Sequence, residues 1–190
     1  MVTLGVKQHV DAWKHCTRCP LHETSKKIAL YRGTLPCILL MVGEAPGRHE
    51  NVSGIPFDTN ALRGRMLSKL TDVADQMHIS YVITNVLGCI PWAKGGSSVR
   101  SPEHHEISQC YPRLVEMIKL ADPYIVLSFG GTAQDVVSPL VRNLNLLNPS
   151  RCIEHYYLSH PTTIIRRNTQ TAINDWISEF RGILTSWTEK

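Results

Sequence analysis

Six cysteines in a chain of 190 residues are the first candidates for chemistry. Cys16 and Cys19 form a C-x2-C pair, while Cys89 and Cys110 stand singly farther along. Four thiolates can complete a tetrahedral metal site or a cubane cluster, and spacing alone serves zinc as well as iron. Two distant single cysteines are equally consistent with ordinary buried thiols. Cys37 falls inside an apolar run and Cys152 at the edge of another, so both read as core residues. Residues 1–10 carry no cleavable signal pattern. The chain therefore reads as intracellular, where disulfides are rare and metal or catalytic use of cysteine gains weight.

Three further segments carry polar groups at positions suited to a ligand. Gly43-Glu44-Ala45-Pro46-Gly47 is a turn of small residues whose backbone N–H groups can approach a ligand closely. It lacks the lysine of a phosphate-binding P-loop. Thr84-Asn85 offers a carboxamide, a donor and an acceptor together, which suits a pyrimidine edge; alone, it is equally a turn cap. In Ser159-His160-Pro161, proline holds the histidine in extended backbone. A histidine there could donate to an oxygen that gains charge during a reaction. Gly54-Ile55-Pro56-Phe57 places an aromatic ring in a loop, able to stack on a base or to tuck into the core. Glu103, His104 and His105 look like metal ligands, but neighbours on a helix point different ways and are set aside.

The elements that must position these residues follow from periodicity. Residues 36–42, 81–87, 124–129 and 153–158 read as strands. Residues 6–15, 60–76, 103–120, a stretch from about 132, and 172–187 read as helices between and around them. Strands alternating with helices predict a three-layer α/β/α fold around a mostly parallel four-stranded sheet. In such sheets ligands bind beyond the carboxyl ends of the strands. That rule brings Gly43, Asn85 and His160 to one site. With no repeat, low-complexity tract or long linker, residues 1–190 read as one domain with a sizeable core. The longest apolar run, residues 38–42, is too short to cross a bilayer, so no membrane partner is expected. A formal charge of +4 and a pI near 8.8 bias the chain mildly toward polyanions.

Taken in order, the segments resemble the iron–sulfur uracil-DNA glycosylases of family 4. The resemblance runs over nearly the whole chain: the Cys16/Cys19 pair, GEAPG at 43–47, Glu50, GIPF at 54–57, ITNVLGC at 83–89, CYPRL at 110–114, DPYIVLSFGGTA at 122–133 and SHPTTIIRR at 159–167. It implies a four-stranded parallel sheet between helices, and a [4Fe–4S] cluster rather than zinc on Cys16, Cys19, Cys89 and Cys110. It implies a uracil flipped out of single- or double-stranded DNA, stacked on Phe57 and read by Asn85. His160 would stabilise charge on the uracil O2, while Gly43, Glu44, Ala45 and Gly47 would hold base and water. Glu44 is the candidate to activate that water. Ser159, Thr162 and Thr163 would contact the DNA backbone, with Arg166 and Arg167 nearby. A monomer is expected, with a replication or repair protein as a further partner.

Three features depart from the family's pattern. Asn51 stands where an Asp is usual, the segment after Phe57 reads DTNALRG, and the loop over residues 91–102 is long. Two alternatives accompany the glycosylase reading: a non-catalytic relative that binds DNA or a replication partner, and a glycosylase for another deaminated base.

Overall fold

The structure, a computed structural model, describes residues 2–190, with side chains from residue 5 onward. In chain order the elements are α1 (Val2–Trp13), α2 (Leu21–Thr24), β1 (Arg32–Gly33), β2 (Leu39–Gly43), α3 (Arg48–Ser53), α4 (Leu62–Gln76), β3 (Tyr81–Asn85), α5 (His104–Ala121), β4 (Ile125–Phe129), α6 (Gly131–Leu147), β5 (Glu154–Leu158), α7 (Pro161–Arg167) and α8 (Gln170–Thr188).

The sheet runs β1-β3-β2-β4-β5. β3, β2, β4 and β5 are parallel, as the alternating pattern predicts, and lie between two helical layers. The sheet has a fifth strand beyond the four expected: β1, antiparallel on β3. Its two residues are too few to show a period, so no sequence pattern announced it. β2 and β4 are buried at every position. Their side chains alternate between the layers. Leu39 and Met41 meet α4 and α8, through Leu67, Leu70, Phe180 and Leu184. Leu40 and Val42 meet α5 and α6, through Leu114, Met117, Val137 and Leu140.

From β2 the chain steps to β3 on one side, then returns to β4 on the other. The loops after β2 and β4 therefore diverge and leave a crevice between them. α7 forms where the sequence suggested only a loop. Pro161 sits in its first turn, with no amide N–H to leave unpaired, and His160 caps it by accepting the Thr162 amide. Asn168 in left-handed backbone ends it, and Thr169 caps α8 by accepting from the Ala172 amide.

Leu67 has no solvent exposure in the α4 layer. Leu67→Ala should lower stability by about 2–5 kcal/mol through lost burial and a residual cavity, read from the denaturant midpoint at unchanged slope.

Candidate active site and cysteine centre

β2 and β3 end level with one another, so Gly43 pairs with Asn85. The pairing continues past the strands, where the Val86 amide donates to the Gly43 carbonyl and the Leu87 amide to that of Glu44. A side chain at Gly43 has no room. Its Cβ would lie 2.4 Å from the Asn85 Oδ1 and 2.6 Å from the Phe57 ring. The glycine thus lets a carboxamide and an aromatic ring meet over the strand end. Asn85 is fully buried, yet neither its Oδ1 nor its Nδ2 has a hydrogen-bond partner. A buried amide with both groups unmet costs stability, and such a cost marks a functional position.

Phe57 is 2% exposed and sits at φ 50°, left-handed backbone that a bulky residue adopts only under constraint. The constraint is Glu50. Its Oε1 accepts the Phe57 amide at 2.7 Å; its Oε2 accepts the Gly47 amide at 2.5 Å and Arg63 Nη2 at 2.8 Å. One buried carboxylate joins the loop after β2 to the loop that carries Phe57. Gly64 completes the clamp from α4. A Cβ there would lie 2.0 Å from the Asp58 carbonyl oxygen, so only glycine lets the loop backbone lie on the helix. Asp58 does not reach the cleft. Its carboxylate accepts from the Asn60 amide and side chain at 2.9 Å, closing a turn, and these bonds hold its pKa down. Asn51 is buried and accepts the Lys26 amide, a contact that needs no charge.

His160 stands across from Phe57, with ring centroids 6.0 Å apart. Its Nδ1 accepts the Thr162 amide at 3.1 Å. A backbone N–H can only donate, so Nδ1 carries the lone pair and Nε2 the proton. Burial, then the positive charges of Arg63 and Arg166, lower the His160 pKa to about 4. At neutral pH it is a neutral imidazole with a single N–H to give.

A cleft of about 470 Å³ opens at the crevice. Glu44 and Ala45 line it from the loop after β2, Gly130 and Gly131 from the junction of β4 and α6, His160 from the N-cap of α7, and Thr162, Thr163 and Arg166 from α7 itself. Phe57 and Asn85 do not line it; Phe57 packs behind Phe129 and His160, which do. Ser159 is half-buried beside α7, its carbonyl accepting Trp176 Nε1 at 2.9 Å, and Arg167 is exposed in the last turn of that helix. Arg63 and Arg100 add positive charge to the cleft wall, although Glu106 pairs with Arg100 at 2.6 Å. The long loop of residues 91–102 is a hairpin, bridged at Trp92 and Val99, and it forms the wall facing α7.

Cys16, Cys19, Cys89 and Cys110 gather around one pocket between the α1–α2 connection, the loop after β3 and α5. Burial pushes the Cys89 thiol up to about 12 and raises that of Cys19. Thiols in such a setting deprotonate when a cation takes the proton's place. Cys110 Sγ accepts from the Gly88 amide and from Arg113 Nε, both at 3.4 Å, the donors a ligating sulfur would want. The donor set fits a four-thiolate metal centre. Cys37 is buried just before β2 rather than within it, and Cys152 is exposed rather than core.

His104 stays apart, as expected, while Glu103 and His105 bring ligand atoms within 4.8 Å of one another together with Glu106, a residue the sequence reading did not include. Their geometry has another explanation. Both Glu106 oxygens are taken by Arg100, and one also accepts the Glu103 amide, in a capping box at the start of α5.

These features define an α/β/α protein with a basic ligand cleft at the sheet's switch point and a thiol centre beside it. The chain belongs to the uracil DNA glycosylase superfamily, whose family model matches residues 33–181. It is similar to the type-4 uracil-DNA glycosylase of Pyrobaculum aerophilum, with 31% identity over 62% of this chain and 56% of that one. It is also similar to that of Thermotoga maritima, 31% identical over 63% and 59%, and that of Saccharolobus solfataricus, 29% identical over 63% and 53%. The matches span little more than half the length of these relatives.

Arg63 and Arg113 were missed as site residues by sequence reasoning, and Glu50 was given no role. Arg113 did carry a signal, since it lies one helical turn beyond Cys110. Replacing Glu50 by Ala leaves two buried amides unpaired and should cost about 2–4 kcal/mol, measured by denaturant unfolding.

Proposed function

We propose that the protein is a DNA-repair glycosylase that extrudes uracil from single- or double-stranded DNA and hydrolyses its N-glycosidic bond, leaving an abasic site. The observation that carries this reading is the buried, unpartnered carboxamide of Asn85, set between Gly43 and Phe57 and backed by a neutral His160. An enzyme acting on a base must take it out of the stack. Arg63, Arg166 and Arg167, with Ser159, Thr162 and Thr163, supply contacts for the phosphates that flank it. Phe57, which packs behind the cleft wall of Phe129 and His160, would stack on the extruded ring once that wall is displaced. The Asn85 Nδ2 donates to the uracil O4 and its Oδ1 accepts from N3–H. Cytosine offers the opposite pattern and leaves both buried groups opposed, which is a strong basis for rejection.

As the glycosidic bond lengthens, electrons move onto the pyrimidine and charge builds on O2. The His160 Nε2–H donates to that oxygen. A fixed neutral donor stabilises the anion without having to release a proton. Water then adds to the oxocarbenium-like sugar carbon from the side of the Gly43–Gly47 loop. Glu44 lines the cleft there and is the group we assign to receive the water's proton. Cys16, Cys19, Cys89 and Cys110 would hold a [4Fe–4S] cluster, preferred to zinc on the family likeness. When bound it would supply a cross-link between the α1–α2 connection, the loop after β3 and α5. Of the other readings, a widened base range draws on the altered segment DTNALRG, whose Asp58 carboxylate is consumed in its own turn. A pure binder has no use for an unmet carboxamide.

A uracil-containing oligonucleotide should gain an alkali-labile site; absence of cleavage by metal-loaded protein would favour the binding reading. Asn85→Asp should admit cytosine or abolish turnover, and unchanged kinetics with both bases would remove Asn85 from the pocket. Because the His160 pKa is lowered to about 4, the imidazole is neutral above that value and takes a second proton below it. The contribution of His160 to kcat/KM, which reports the free enzyme, should therefore be flat through neutral pH and change only as pH falls through about 4. A change centred instead near the unperturbed ~6.5 of histidine would contradict the assigned burial.

A further inference from the structure

Arg113 is among the most deeply buried side chains of the fold, 1% exposed, and no carboxylate lies within ion-pair distance of it among the described residues. An isolated buried guanidinium is costly unless its donors are met and its charge is balanced. Its donors are met in an unusual way. Nη1 donates to the Leu30 carbonyl at 3.3 Å and to Thr84 Oγ1 at 3.2 Å; Nη2 donates to the carbonyls of Asn85 and of Val86, the latter at 3.0 Å. The remaining donor, Nε, points to the Cys110 sulfur. One rigid planar fork thus touches the backbone of the proposed base-reading residue at one end and a proposed metal-ligating thiolate at the other.

We infer that Arg113 is a positioning residue that couples the cysteine centre to Asn85: anionic sulfur at the centre balances the buried guanidinium, and the guanidinium fixes the strand end from which Asn85 projects. This rests on the glycosylase reading for its consequence and on the four-thiolate reading for its cause. The geometry accounts for the strand end being gripped at the carbonyls, since the Asn85 carboxamide has no partner of its own to hold it. Lysine cannot reproduce the link. A single ammonium could keep the charge but could not reach Cys110 and the Asn85 carbonyl together.

The test is hydrogen–deuterium exchange of residues 84–88 in metal-loaded and chelator-stripped protein, for wild type, Arg113→Lys and Arg113→Met, with uracil and cytosine excision measured in parallel. In wild type, stripping should speed exchange in this segment by about tenfold or more, the loss of one charge-assisted hydrogen bond. In loaded Arg113→Lys, the segment should already exchange at the stripped rate and respond little to chelator, while α8 stays protected as in wild type. Uracil kcat should fall with KM little changed, and the preference for uracil over cytosine should shrink. Arg113→Met removes the charge as well; if it folds, it should give the same segment-specific exchange, and if it does not, the lysine variant alone decides. Wild-type exchange rates at 84–88 in loaded Arg113→Lys, or no response of wild type to stripping, would overturn the coupling. Those outcomes are read without any turnover, so they stand apart from a failure to excise uracil, which would overturn the glycosylase reading instead.

Discussion

The parallel register of β2 and β3 is the constraint on which the site depends. It places Gly43 beside Asn85 at one level of the sheet, and the absent side chain at Gly43 leaves the space that Phe57 and the carboxamide share. A shift of one residue would put a side chain in that space and turn Asn85 toward the opposite helical layer. The register is in turn supported by burial of every β2 residue and of β3 from Val82 to Asn85, so the hydrophobic core and the polar pocket are consequences of one pairing.

Two buried charges extend that pairing outward. Glu50 gathers the amides of Gly47 and Phe57 and brings Arg63 to the cleft, while Arg113 gathers the carbonyls of Asn85 and Val86 and reaches Cys110. The carboxylate binds donors and the guanidinium binds acceptors, and between them the loose backbone groups after β2 and β3 are satisfied. Such networks fix loop conformation because each unmet group in a dry interior is expensive. The Asn85 side chain stands apart within this shell: both its donor and its acceptor are unmet, whereas His9, Ser25, Arg32 and Arg151 each leave a single buried atom without a partner.

The electrostatics of the cleft follow the same economy. Arg63 and Arg166 serve as positive surface and also depress the basicity of His160. A histidine charged at neutral pH would be a better proton donor but a poorer fixed dipole, and its extra charge would sit beside two arginines. Burial and these neighbours hold it neutral, and the Thr162 amide selects its tautomer.

The alternating apolar runs and the turn residues after them were enough to place four parallel strands, the flanking helices, and Gly43, Asn85 and His160 at one end of the sheet. That much was legible because strand direction and burial are written in local periodicity. The grouping of the four cysteines was legible only as a resemblance, since the distance between Cys19 and Cys89 in sequence says nothing of their distance in space. β1 and α7 escaped because two residues carry no period and a seven-residue helix is set by its caps. Asp58 and Asn51 looked like chemical departures, yet their side chains serve local turns and backbone amides, which sequence cannot distinguish from a pocket role. The work of Glu50 was decided by tertiary structure alone, and that of Arg113 in all but its place one helical turn beyond Cys110. A buried charge is defined by the partners that surround it, and those partners come from segments up to 83 positions away.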